Sequence, residues 1–104
     1  MTTENYAGVA VETTNDGYLA DAGQWTPAIG EAIAAEVGIN LTPVHWEVIN
    51  FAREDYSTTG LSPGLRRIAA QSTVKMKDLY KLFPKGPGKL VAKISGTPKP
   101  KSCL

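Results

Sequence analysis

The sequence predicts a mainly α-helical domain with a small N-terminal β-hairpin and a flexible C-terminal arm. Three observations carry that expectation. Apolar and polar residues alternate on one side of an Asn15-Asp16-Gly17 turn, the pattern of a short hairpin. Two Thr-Pro pairs, Thr26-Pro27 and Thr42-Pro43, each open a stretch of helical apolar spacing. After Gly96 the chain turns proline- and lysine-rich and loses nearly all apolar character. With 104 residues and 42% apolar content, the chain suits one domain with one modest core. The domain is expected over residues 1–96 and the arm over 97–104.

The elements follow in order. The hairpin is expected over residues 8–20, with Val9 and Val11 before the turn and Tyr18 and Leu19 after it. Such a pair is marginal alone and must pack on helices. From about 24 to 37, Trp25, Ile29, Ala32 and Ile33 share one face. Thr26 as N-cap leaves Trp25 as a packing residue just before the helix, and Gly38 ends it. In the second helix Thr42 caps, Pro43 sits at N1, and Val44, Val48, Phe51 and Ala52 form the apolar stripe, with His45, Ile49 and Tyr56 beside it. Gly60 ends that segment. Ser62-Pro63 repeats the cap-plus-proline start ahead of Leu65, Ile68 and Ala69. A shorter helix is expected from Lys75 to Leu82, and a last turn or two through Leu90, Val91 and Ile94.

The arm, residues 97–104, carries Pro98 and Pro100. Prolines favour extended geometry at about 3 Å per residue, so eight such residues reach roughly 25 Å. Near its tip is Cys103, the only cysteine. An intramolecular disulfide is impossible, and a prenylation signal would need the cysteine fourth from the end. One cysteine and one histidine are too few for a zinc-finger type of site. No cofactor or metal is therefore expected. Thiolate is the reactive form of cysteine; Lys99 and Lys101 favour it, and the terminal carboxylate of Leu104 opposes it. An incidental tail cysteine is the bland alternative. His45, in the first turn of a helix with no nucleophile beside it in sequence, is read as structural, as are Trp25 and Trp46. The glycine-rich stretch Phe83–Lys89 lacks the spacing and Lys-Ser/Thr ending of a P-loop and reads as a turn.

Charge is divided unevenly. Residues 1–60 hold nine acids and a single base, Arg53, whereas residues 61–104 hold ten bases and a single acid, Asp78. Either the C-terminal half meets an anionic partner, or the two halves attract each other within the fold. The N-terminus has neither the basic start nor the apolar run of a signal peptide, and no stretch approaches a membrane span. A cytoplasmic location without membrane contact is expected.

Several stretches resemble the DsrC/TusE family, small sulfur-carrier proteins related to the gamma subunit of dissimilatory sulfite reductase. They are Gly17-Tyr18-Leu19, Gln24-Trp25, the block Leu41–Tyr56, Ser62-Pro63 with Arg66, the run Leu79–Lys89, and Pro98-Lys99-Pro100 followed by the penultimate Cys103. The resemblance implies a DsrC-like helical domain with a mobile arm, and a Cys103 that carries sulfur as a persulfide. Family members that serve sulfite reductase have a second cysteine ten residues earlier, a position held here by Lys93. Thr97 stands where members commonly have leucine. With one cysteine the chain looks more like the tRNA 2-thiouridine relay protein. Its implied partners are an upstream persulfide donor complex of the DsrEFH/TusBCD kind and a downstream tRNA-thiolating enzyme or sulfite reductase, with a possible indirect contact to tRNA. On that view the chain is a sulfurtransferase-type carrier, not a self-sufficient catalyst. Arg66, Arg67, Lys77, Lys81, Lys85, Lys89, Lys99 and Lys101 are the candidate partner-binding residues. Two alternatives stand beside it. One is a single-cysteine DsrC-like protein of sulfur oxidation, sulfite reduction or its regulation; the other is a helix-turn-helix nucleic-acid-binding module built on the two helices around Gly60.

Overall fold

The structure, a computed structural model, describes residues 1–101. Strands β1 (Thr2–Tyr6) and β2 (Val9–Thr13) form an antiparallel pair, with Thr2 opposite Thr13 and Tyr6 opposite Val9. Their two-residue loop is Ala7-Gly8, both at positive φ (55° and 79°), as a type I′ hairpin turn requires. The hairpin therefore lies earlier than the expected 8–20. The Asn-Asp-Gly turn does form: the Thr14 N–H donates to the Tyr18 carbonyl at 2.8 Å, and the Gly17 N–H to that of Thr14 at 2.9 Å. It returns the chain for only one bridge, Thr13 to Leu19. Tyr18 and Leu19, each 2% exposed, enter the core there, and burial outweighs further pairing. The hairpin is anchored on the first helix by the Tyr6 hydroxyl, which donates to Glu36 at 3.2 Å. Burial first, then the Glu36 and Glu4 charges, push the Tyr6 phenol up to about 12.

Five helices follow: α1 (Pro27–Glu36), α2 (Pro43–Thr59), α3 (Leu65–Gln71), α4 (Met76–Leu82) and α5 (Pro87–Ser95). Both Thr-Pro starts form as expected. The Thr26 hydroxyl accepts from the Ile29 N–H at 3.2 Å. At α2 the Thr42 hydroxyl and the His45 ring make a reciprocal capping box, which satisfies two otherwise unpaired backbone donors. His45 Nδ1 accepts from the Thr42 N–H at 3.0 Å, and Nε2 reaches the Leu82 carbonyl at 2.9 Å. With Nε2 as the donor, one tautomer serves both bonds. The ring also meets Phe83 edge-on at 5.1 Å. His45 is thus a structural tie from α2 to the end of α4.

That tie rotates α2 from its expected orientation. His45, Val48, Ile49 and Ala52 are buried, while Val44 is 42% exposed and Phe51 is half-buried. A ring with two placed polar partners is cheap to bury, so His45 takes a position that hydrophobicity assigned to Val44. The third helix also departs from expectation. Gly64 precedes α3, and Ser62 makes no cap; its hydroxyl is used across the molecule, as described below. Helices α4 and α5 lie where expected. Phe83, Ile29, Ile49, Ile68, Leu79 and Ile94 fill the centre of the core, where α2 and α1 both pack on α5 and α3 packs on α4. Among the described residues, no helix is long and apolar enough to cross a membrane.

Candidate functional site

The C-terminal segment leaves the body at the end of α5, and that end is held with unusual density. Gly96 terminates the helix at φ 71°, and an ideal Cβ there would collide with Cδ1 of Trp25. Only glycine satisfies both the left-handed turn and the flat approach of the indole. The Trp25 Nε1–H donates to the Ile94 carbonyl at 2.7 Å. Arg53, from the middle of α2, lays its guanidinium over the same indole at 4.3 Å. Its Nη1 donates to the Ser95 carbonyl at 2.9 Å and its Nη2 to the Ala22 carbonyl at 3.2 Å. A cation at the C-terminal end of a helix also meets the negative end of the helix dipole. Desolvation by burial lowers the Arg53 pKa, opposed in part by the charge of Tyr56.

Beyond this root the chain stays on the body for several residues. Thr97 is fully buried, and its N–H donates to the Ala92 carbonyl at 3.0 Å. The Thr97 hydroxyl turns to the same carbonyl at 3.5 Å, so this polar side chain is accommodated in the interior. The Ser62 hydroxyl donates to the Pro98 carbonyl at 2.5 Å. Lys99 pairs with Asp16 at 3.6 Å, Pro100 is buried, and Lys101 is exposed. Cys103 lies outside the described residues.

Five of the eight expected partner-binding cations line three separate hollows. Arg66 and Arg67 line a hollow of about 290 Å³ with Asp55, Leu61, Ser62 and Pro63. Arg67 clasps Asp55 from α2 with two bonds of 2.8 and 2.7 Å, so its charge is largely answered within the fold. Hydrogen bonding from Arg67 is the main cause that lowers the Asp55 pKa, with its charge adding to it and burial opposing. Lys77 and Lys81 lie one turn apart on α4, and Lys81 borders an apolar hollow near Val44 and Val74. Lys85 sits in the α4–α5 loop at φ 67°. Lys89 and Lys99 come together around a third hollow, with Lys93, Asp16 and Tyr18. Lys101 is the last described residue. The described residues hold no cluster of side chains able to bind a metal ion.

Sequence reasoning missed Arg53, Ser62 and Asp16 as parts of this region. Arg53 left a signal, as the sole base in residues 1–60 and one placed beside the apolar stripe of a helix. Ser62 and Asp16 left none, because each acts on residues 36 or more positions away.

Known proteins share this architecture. The family model described as DsrC like protein matches residues 5–104. Sulfurtransferase TusE of Salmonella typhimurium is 41% identical over 106 aligned residues, covering 95% of this chain and 97% of the relative. The solution structure of Allochromatium vinosum DsrC superposes with a TM-score of 0.82 at 31% identity, over 98% of this chain and 97% of that one. The oxidized gamma-subunit of dissimilatory sulfite reductase from Archaeoglobus fulgidus gives 0.79 at 29% identity, over 99% and 100%. The family model covers residues 5–104 and the superpositions span nearly the whole chain, and the chain belongs to the DsrC-like family.

Proposed function

We propose that the protein is a sulfur carrier whose Cys103 accepts a persulfide sulfur and hands it on in a relay for tRNA 2-thiouridine synthesis. The observation that carries this is the end-to-end match to a relative named Sulfurtransferase TusE, in a chain whose only thiol is penultimate. The Cys103 thiolate attacks the outer sulfur of a donor persulfide. The donor's S–S bond breaks, the donor leaves as thiolate, and Cys103–S–SH forms, with no net change in electrons. Transfer to the acceptor repeats the exchange, and neither step needs a cofactor. Residues 1–96 then act as the body and 97–104 as the segment that presents the sulfur.

The donor in this reading is a DsrEFH/TusBCD-like complex and the acceptor a tRNA-thiolating enzyme. Lys93, in place of a second cysteine, weighs against the two-thiol chemistry of sulfite reductase partners. The exposed Arg66, Lys77, Lys81, Lys85, Lys89, Lys99 and Lys101 would meet acidic surfaces of these partners. Arg67 is already engaged with Asp55. That engagement takes one of the two arginines from the helix-turn-helix alternative, whose second helix is only seven residues long.

The test is intact mass after incubation of the reduced protein with a cysteine desulfurase system. One reductant-labile addition of about 32 Da, absent from Cys103→Ser, is the expected result. No addition under conditions that load a known carrier would overturn the proposal.

A further inference from the structure

The hollow beside the C-terminal segment gathers three lysines and one carboxylate, which the fold neutralises only in part. Lys89 and Lys93 lie one turn apart on α5, and Lys99 approaches from the segment beyond it. All three line a space of about 100 Å³ with Asp16 and Tyr18. Among the described residues Asp16 is the only carboxylate in an ion pair with any of them, and it pairs with Lys99. The Lys93 ammonium stands 5.4 Å from the centre of the Tyr18 ring, a weak cation–π contact that supplies no counter-charge. Two ammonium groups at i and i+4 repel each other on a helix surface. Tyr18 forms a buried wall, and its hydroxyl has no hydrogen-bond partner.

We propose that this hollow is an oxyanion site that takes a single phosphate group. Three lysines against one carboxylate around one space give a net positive lining, which suits a tetrahedral anion with several free oxygens better than a flat carboxylate. The space, about 100 Å³, is enough for one phosphate group. Free phosphate and the phosphodiester of an RNA strand share this chemistry. The site needs no sulfur on Cys103 and stands whether or not that reading holds.

The experiment follows backbone amide resonances of the full chain at constant ionic strength. Inorganic phosphate is one probe, a tRNA anticodon stem-loop the second, and an acidic glutamate peptide the control. Saturable shifts at Tyr18, Lys89 and Lys93 are expected with phosphate. The same shifts with the stem-loop would place the source in nucleic acid; their absence with the stem-loop would assign the site to the free anion. Lys93→Gln should weaken phosphate at least about tenfold, as loss of a charge-assisted bond implies. It should leave thermal stability equal or higher, because repulsion is relieved, and should leave the mass gain at Cys103 unchanged. No saturable shift with either phosphate probe, or equal shifts with the glutamate peptide, would overturn the proposal.

Discussion

Two neighbouring stretches, Ile94–Thr97 and Pro98–Lys101, are held to the body by different means. In the first, two backbone carbonyls accept from Trp25 and Arg53, a glycine lies flat against an indole, and Thr97 is fully buried. In the second, one serine hydroxyl, one exposed ion pair and the burial of Pro100 provide the attachment. Desolvated hydrogen bonds and close packing are costly to break, whereas exposed ion pairs contribute little. Attachment therefore weakens from Thr97 toward Lys101. For a carrier, this gives a fixed root and an outer segment that is cheap to detach.

The sharpest way to break the comparison is Gly96→Ala. The new methyl would meet Trp25 in a left-handed turn, and strain and overpacking together should cost about 3 kcal/mol. Urea denaturation measures it, and a loss under about 1 kcal/mol would show that the root is not tight. Arg53→Met should cost less, about 1–3 kcal/mol, because the Ser95 and Ala22 carbonyls lose a charged donor while the stem's packing is kept. If the root positions the outgoing chain, this variant should still accept sulfur from a small-molecule donor yet transfer it more slowly to a protein acceptor.

Ser62→Ala tests the outer segment and should cost no more than about 1 kcal/mol. Amide exchange should quicken at Lys99 and Lys101, with Gly96 and Thr97 unaffected. Equal quickening at Thr97 would merge the two stretches into one unit. Asp16→Asn should have a smaller effect still, under about 0.5 kcal/mol and vanishing at high salt. A pH titration adds a contrast elsewhere. Asp55 has a lowered folded pKa, so its contribution is fully present above the ordinary carboxylate range and is lost as pH falls through the folded value. Asp55→Asn should flatten that acid limb without changing the stability difference between Gly96→Ala and its parent.

Much of the helical framework was legible because its signals are local. Thr26-Pro27 and Thr42-Pro43 announce helix starts through bonds that span three residues. Gly38, Gly60 and Gly96 mark the ends by their backbone conformation. The penultimate cysteine and the run Leu79–Lys89 pointed to the family, which the end-to-end matches then showed. Local signals also misled. Ser62-Pro63 resembles a helix start, but its hydroxyl satisfies Pro98, 36 residues away. Asn15-Asp16-Gly17 is a good hairpin turn, yet β2 pairs with the strand before it, because Tyr18 and Leu19 go into the core.

By itself, then, the sequence determined where α1 and α2 begin and end, which thiol is available, and how unevenly charge is divided. Only the tertiary structure decided that His45 and not Val44 faces inward, that Arg53 closes the end of α5, and that Lys89, Lys93 and Lys99 share one hollow. The physical reason is range. Caps and turns are settled by backbone bonds within a few residues, whereas these choices depend on partners 31 to 83 positions distant, which only packing of the whole core brings within reach.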